Sequence, residues 1–145
     1  IGRTRRAIED INWQAALGGR VVLLGDFNAH SPLWDPRQAR NNAGPLEGII
    51  AEFGLILNNE PGAITRPAEA VNSRHIGSII DLTFTTLEMG PLESWAIEED
   101  HPTPSDHEVI IFQWLDKEET VRLNSLKEIT GWDIAALLKD IDTLE

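Results

Sequence analysis

The run VVLLGDF, residues 21–27, constrains this chain more than any other segment. A short, unbroken apolar stretch of this kind reads as a strand buried on both faces. It stops abruptly: Gly25 is followed by Asp26, Asn28 and His30. In α/β proteins sites gather beyond strand ends, where a rigid strand aims side chains from a short loop. Two other segments repeat the pattern. SIIDLTFTT, residues 78–86, is rich in Ile and Thr, as strands are, and carries Ser78 and Asp81. EVIIFQWL, residues 108–115, is preceded directly by Asp106 and His107.

The remaining chain supplies a scaffold for these strands. Residues 4–17 are expected to form one helix, with Ile8, Ile11 and Ala15 on one face and Gly18-Gly19 as its stop. Residues 29–44 have no period and read as a loop. Pro45 opens a second helix carrying Leu46, Ile49, Ile50 and Phe53, and Gly54 ends it. LILNN (55–59) and ESWAIE (93–98) read as strands, and Ala63–Arg66 as a short one. The core pattern ends near Asp116, which gives a domain over residues 1–116. Residues 117–145 form a linker and an amphipathic helix with Ile134, Leu137, Leu138 and Ile141. The order α-β-α-β-β-β-β-α fits an α/β layered architecture.

Composition excludes several classes. There is no cysteine, so thiolate metal sites, disulfides and cysteine nucleophiles are out. No apolar run approaches the ~18 residues of a membrane span. The formal net charge is −12, and no Lys or Arg lies between Arg74 and Lys117. Such a surface binds polyanions poorly by itself, because phosphate affinity comes from Lys and Arg. A metal and further positive charge from elsewhere are needed if the partner is a nucleic acid.

The polar residues at the strand ends form a coherent set for phosphodiester hydrolysis. That reaction needs an activated water, a divalent cation and charge stabilisation on the phosphate. Hard oxygen ligands such as Asp26 and Asp106 suit Mg²⁺ or Mn²⁺. Asn28 can hydrogen-bond a phosphate or orient the water. Asp81 can hold His107 in one tautomer, and His107 can then stabilise the pentacovalent transition state. Each piece also has a bland reading. A lone Asp after a strand is commonly a turn or cap residue, and a Ser-Asp-His stretch before a strand is commonly a solvated loop. Asp81, inside an apolar strand, is harder to dismiss, since an unpartnered buried carboxylate costs several kcal/mol.

GDFNAH (25–30), SIIDLTF (78–84) and SDHEVIIF (105–112), in this order and spacing, resemble the C-terminal half of the endonuclease/exonuclease/phosphatase superfamily. GDFNAHSPLWD, LEGIIAEFGLILNN, the ITR segment and SIIDLTF narrow the resemblance to the endonuclease domain of LINE-type retrotransposon polyproteins. TGWDIAALLKDI is similar to the connector toward the reverse transcriptase. The resemblance implies half of a four-layer α/β sandwich, with a mixed sheet and flanking helices. It implies that Asp26 activates water or binds metal, Asn28 contacts the scissile phosphate, and Asp81 orients His107. It further implies that Asp106 lies on the metal side, that His107 contacts the phosphate, and that Ser78 and His30 sit beside the substrate.

The partners implied are Mg²⁺ or Mn²⁺, target DNA, and a reverse transcriptase in the same polyprotein, inside the cell and in the nucleus. The chain is expected to lack the family's N-terminal half, which carries an Asn and a Glu for the metal. Val22, Leu24, Ile80, Leu82, Ile110 and Phe112 are candidates for the sheet face that would meet it, or for self-association. Two alternatives differ in class. One is a catalytically inert fragment that acts as an association module. The other is a phosphatase on inositol phosphates or lipids, disfavoured because residues 75–116 contain no Lys or Arg.

Overall fold

The computed structural model describes residue 8, residues 10–68 and 76–98, residue 100 and residues 104–115. The tail read as linker and helix, 117–145, lies outside the described residues.

Helix α1 covers Trp13–Ala16 and is capped by the Asn12 side chain, which accepts from Ala15 N–H. The single helix expected over 4–17 is therefore interrupted before Trp13. Asn12 competes for the backbone as a cap residue does, and the Trp13 indole donates to the Ile8 carbonyl at 2.9 Å across the break. Strand β1, Val22–Asp26, follows Gly19, whose φ is 85°. Helix α2, Gly44–Phe53, has Pro45 in its first turn and ends on Gly54 in the left-handed conformation. Strand β2, Ile56–Leu57, follows at once, then β3 (Asp81–Thr85), β4 (Ser94–Glu98) and β5 (Val109–Gln113).

β3 lies between β1 and β2, and β4 pairs with β5 in a separate two-stranded sheet. The mixed sheet that the resemblance implies is not formed here: every strand pair among the described residues is antiparallel. Opposed residues of an antiparallel pair share a face. Leu23 opposite Phe84 and Gly25 opposite Leu82 set one face, and Leu24 opposite Thr83 and Asp26 opposite Asp81 set the other.

The first face takes the core. Phe84, Leu82, Leu46, Ile49, Ile79 and Trp34 form one buried cluster, with α2 laid against the sheet. Phe84 is fully buried and meets Phe27 edge-on at 5.8 Å. Burying a side chain of this size stabilises the fold by about 1.5–3 kcal/mol. Ile80 and Leu82, both named for a partner-facing surface, are buried.

The second face departs from expectation. β1 was expected to be buried on both sides, but Leu24 is 45% exposed. Its alternation of half-buried and exposed positions is that of an antiparallel strand with one covered face. The unbroken apolar run conceals this, because it places leucines on both faces.

Candidate active site

Asp26 and Asp81 meet because they close the β1–β3 ladder, as opposed residues at its end. Beyond Asp26 the chain turns sharply. Asp26 Oδ1 accepts the Asn28 N–H at 2.9 Å, and Asn28 sits at φ 48°, the left-handed region that Asn tolerates better than most residues. The turn is tied to the following loop: Asn42 accepts the His30 N–H at 2.7 Å and donates to the Asn28 carbonyl. Asn28 is exposed at the end of this turn, next to the carboxylates.

His107 comes from the other sheet, two residues before β5. Its Nδ1 lies 2.8 and 3.0 Å from the two oxygens of Asp81. A carboxylate only accepts, so Nδ1 carries the proton and Nε2 points away. The His107 side chain is 24% exposed and that of Asp81 15%, so the pair is half-buried and one imidazole edge reaches solvent. Ser105 Oγ accepts the His107 N–H and fixes the turn. Asp26, Asp81 and His107 each offer a ligand atom, and these lie within 4.8 Å of one another. The two carboxylates offer the oxygen donors that suit a hard divalent cation, with the imidazole, engaged with Asp81, standing beside them.

Asp106 is placed differently from a simple metal ligand. Its Oδ2 accepts from Arg66 Nη2 at 2.6 Å and from Nε at 2.9 Å, while Oδ1 stands 3.8 Å from His107 Nε2. The hydrogen bonds from Arg66 hold the Asp106 carboxyl below the usual carboxylate value, outweighing the desolvation that pushes it up. Ser78 is only 1% exposed and pairs by its backbone with Arg66, so it lies in the wall beneath the site. His30 stands at the far end of the Asn28 turn, half-buried, outside the carboxylate–imidazole cluster.

Three supporting residues escape a reading by sequence. Thr65 and Arg66 lie in the short strand read over Ala63–Arg66, but nothing in that pattern marks their side chains as supports of the site. Asn59 donates its amide to the Asp81 carbonyl at 2.9 Å and accepts the Thr83 N–H at 2.8 Å, standing in for the backbone of a longer β2. The Asn-Asn pair that ends LILNN was the available signal, since Asn side chains hydrogen-bond nearby backbone.

An Asp–His pair beside a second carboxylate, with an amide at the mouth, is suited to hydrolysis at phosphorus. No curated protein matches the chain. The endonuclease-reverse transcriptase family model matches residues 2–111, which takes in every strand end that carries the cluster. This chain therefore belongs to the endonuclease-reverse transcriptase family, as an endonuclease/exonuclease/phosphatase-type domain of a retrotransposon polyprotein.

Proposed function

We propose that the domain hydrolyses DNA phosphodiesters with a divalent cation, nicking target DNA so that the reverse transcriptase of the same polyprotein can prime on it. The single observation that carries the reading is the Asp81–His107 pair at 2.8 Å, set within 4.8 Å of Asp26. A divalent ion, Mg²⁺ or Mn²⁺, would be held by Asp26, and Asp106, whose Oδ2 is taken by Arg66, would have only Oδ1 to offer it. When bound, it supplies charge neutralisation on the phosphate and a more acidic water. Asp26 accepts the proton of the attacking water. Asn28 donates its amide to a non-bridging phosphate oxygen. His107, which gives Nδ1–H to Asp81, would have to carry a second proton on Nε2 to donate to a phosphate oxygen and stabilise the charge that builds there. Work on chromosomal DNA puts the protein in the nucleus.

A supercoiled-plasmid assay with Mg²⁺, Mn²⁺ or EDTA tests this. Nicking is expected with either metal and not with EDTA, and His107→Ala and Asp26→Ala are each expected to lower it by roughly 10²–10⁴-fold. Unchanged nicking in both variants would falsify the assignment.

A second reading is favoured by one observation: Leu24, at the centre of β1, is 45% exposed, and Ile111 of β5 is 39% exposed. On this reading the chain is an association module that lacks activity by itself. It predicts concentration-dependent self-association in sedimentation velocity, reduced by Leu24→Glu, with no nicking under any metal.

A further inference from the structure

Two arms carry the Asp81–His107 pair, and they belong to different sheets. Asp81 opens β3 in the β1-β3-β2 sheet, while His107 precedes β5 in the β4-β5 sheet. A hydrogen bond of 2.8 Å between them demands that the two arms keep a fixed separation. Thr65 touches both. Its hydroxyl oxygen accepts the N–H groups of Ile80 and Asp81, each at 3.0 Å. Its carbonyl accepts the N–H of Glu108, the neighbour of His107, at 2.8 Å. Its own N–H donates to the Ser78 carbonyl at 3.0 Å, and its hydroxyl also reaches that carbonyl at 3.5 Å. Arg66 extends the contact, pairing its backbone with Ser78 and its guanidinium with Asp106.

The geometry points to Thr65 as the positioning residue of the Asp81–His107 pair, a clasp whose buried hydroxyl holds the Asp81 arm and whose backbone carbonyl holds the His107 arm. This rests on reading the pair as the phosphodiesterase's working dyad. Thr65 is fully buried, so water cannot replace its hydroxyl. A hydroxyl has two lone pairs and one proton, which matches the two backbone donors and one carbonyl that surround it. The residue type follows. A β-branched side chain is stiff about χ1, and of the side chains of this size only Thr combines that stiffness with an acceptor. Valine has the same shape and would leave the Ile80 and Asp81 amides buried without a partner, each a loss of the kind that shifts a backbone. Serine keeps the acceptor and drops only the methyl.

The test reads the His107 imidazole by ¹⁵N and ¹H NMR on the whole chain without DNA or metal, with His107→Gln to assign the signals. A domain that nicks nothing can still pass, so failure here is distinct from failure of the nuclease reading. In the wild type, Nδ1–H shared with Asp81 gives one downfield proton and a single-tautomer nitrogen pattern. Thr65→Ser is expected to keep both. Thr65→Val is expected to lose the downfield proton and return His107 toward a mixture of tautomers, with the amide spectrum of β1 retained. A folded Thr65→Val chain with an unchanged His107 signal overturns the proposal, as does a folded Thr65→Ser chain that has lost it. Should Thr65→Val not fold, native-state hydrogen exchange on the wild type decides. The Ile80, Asp81 and Glu108 amides opening together with the His107 Nδ1 proton supports the clasp, and their opening independently overturns it.

Discussion

Asp35 shows what one buried charge demands of its neighbours. Its side chain is fully buried, and Arg37 meets it with two charged hydrogen bonds, Nε to Oδ1 at 2.7 Å and Nη2 to Oδ2 at 2.8 Å. Burial pushes the Asp35 carboxyl up, but the hydrogen bonds and charge of Arg37 together outweigh it and leave it below its usual value. Arg37 also reaches the Ile76 carbonyl and Gln38 that of Gly77, so this pair ties the 29–44 loop to the approach of β3. A carboxyl whose folded pKa is depressed contributes stability above the unfolded value, near 3.9, and loses it as pH falls through the folded value. Asp35→Asn is therefore expected to cost about 1–3 kcal/mol at pH 7. The gap from wild type should close as pH drops below about 4. Urea midpoints at a series of pH values check both the cost and the sign. A gap that widens on acidification rejects the assignment. Residues such as these mark the limit of a sequence reading. Asp81 and His107 were legible because strand ends and a carboxylate in an apolar run are local patterns. Arg66 on Asp106 was not, because the partners stand 40 positions apart and nothing local to either names the other.

At the scale of elements, strands β1, β3, β4 and β5 and helix α2 lie where hydrophobic pattern and punctuation put them, with Pro45 and Gly54 as the helix limits. What the pattern did not carry was which sides of β1 are covered, since leucine on both faces gives no alternation to read. The short contact between Arg66 and Ser78 was also faint. It is a single bridge, and it depends on Gly77 at φ 73°. A Cβ on Gly77 would lie 2.8 Å from Ile64 Cγ2 and 3.2 Å from the Arg66 carbonyl oxygen. Gly77→Ala thus meets both a left-handed backbone and a contact that must give way. The expected cost is about 2–4 kcal/mol, from roughly 1–2 for the conformation and the rest for overpacking. The same change should loosen the Thr65 contacts, so the Ile80 and Glu108 amides should exchange faster relative to the rest of the core. Gly62→Ala is the control, since its φ is 82° with nothing within 4 Å of the added carbon. Equal losses in both variants would mean that conformation alone accounts for the cost at Gly77.

The whole molecule carries a formal charge of −12, and its described cations are largely committed within the protein. Arg37 is held by Asp35, Arg66 by Asp106, and Arg20 donates to the Leu115 carbonyl. If the domain nicks DNA as proposed, it cannot take its affinity from a basic surface of its described residues. Each phosphate neutralised by Lys or Arg contributes about −0.9 to the slope of log affinity against log salt. One or two such contacts near the site would give a slope no steeper than about −2, well short of nucleases that grip DNA through many cations. Binding of a duplex to the His107→Ala chain, titrated with KCl at fixed Mg²⁺, measures this without cleavage. A shallow slope, with affinity that depends on the divalent ion, is expected for a domain whose metal carries the positive charge of the site. A slope steeper than about −4 would place the phosphate contacts on the arginines and lysines outside the described residues, and with them the main determinant of where the domain sits on DNA.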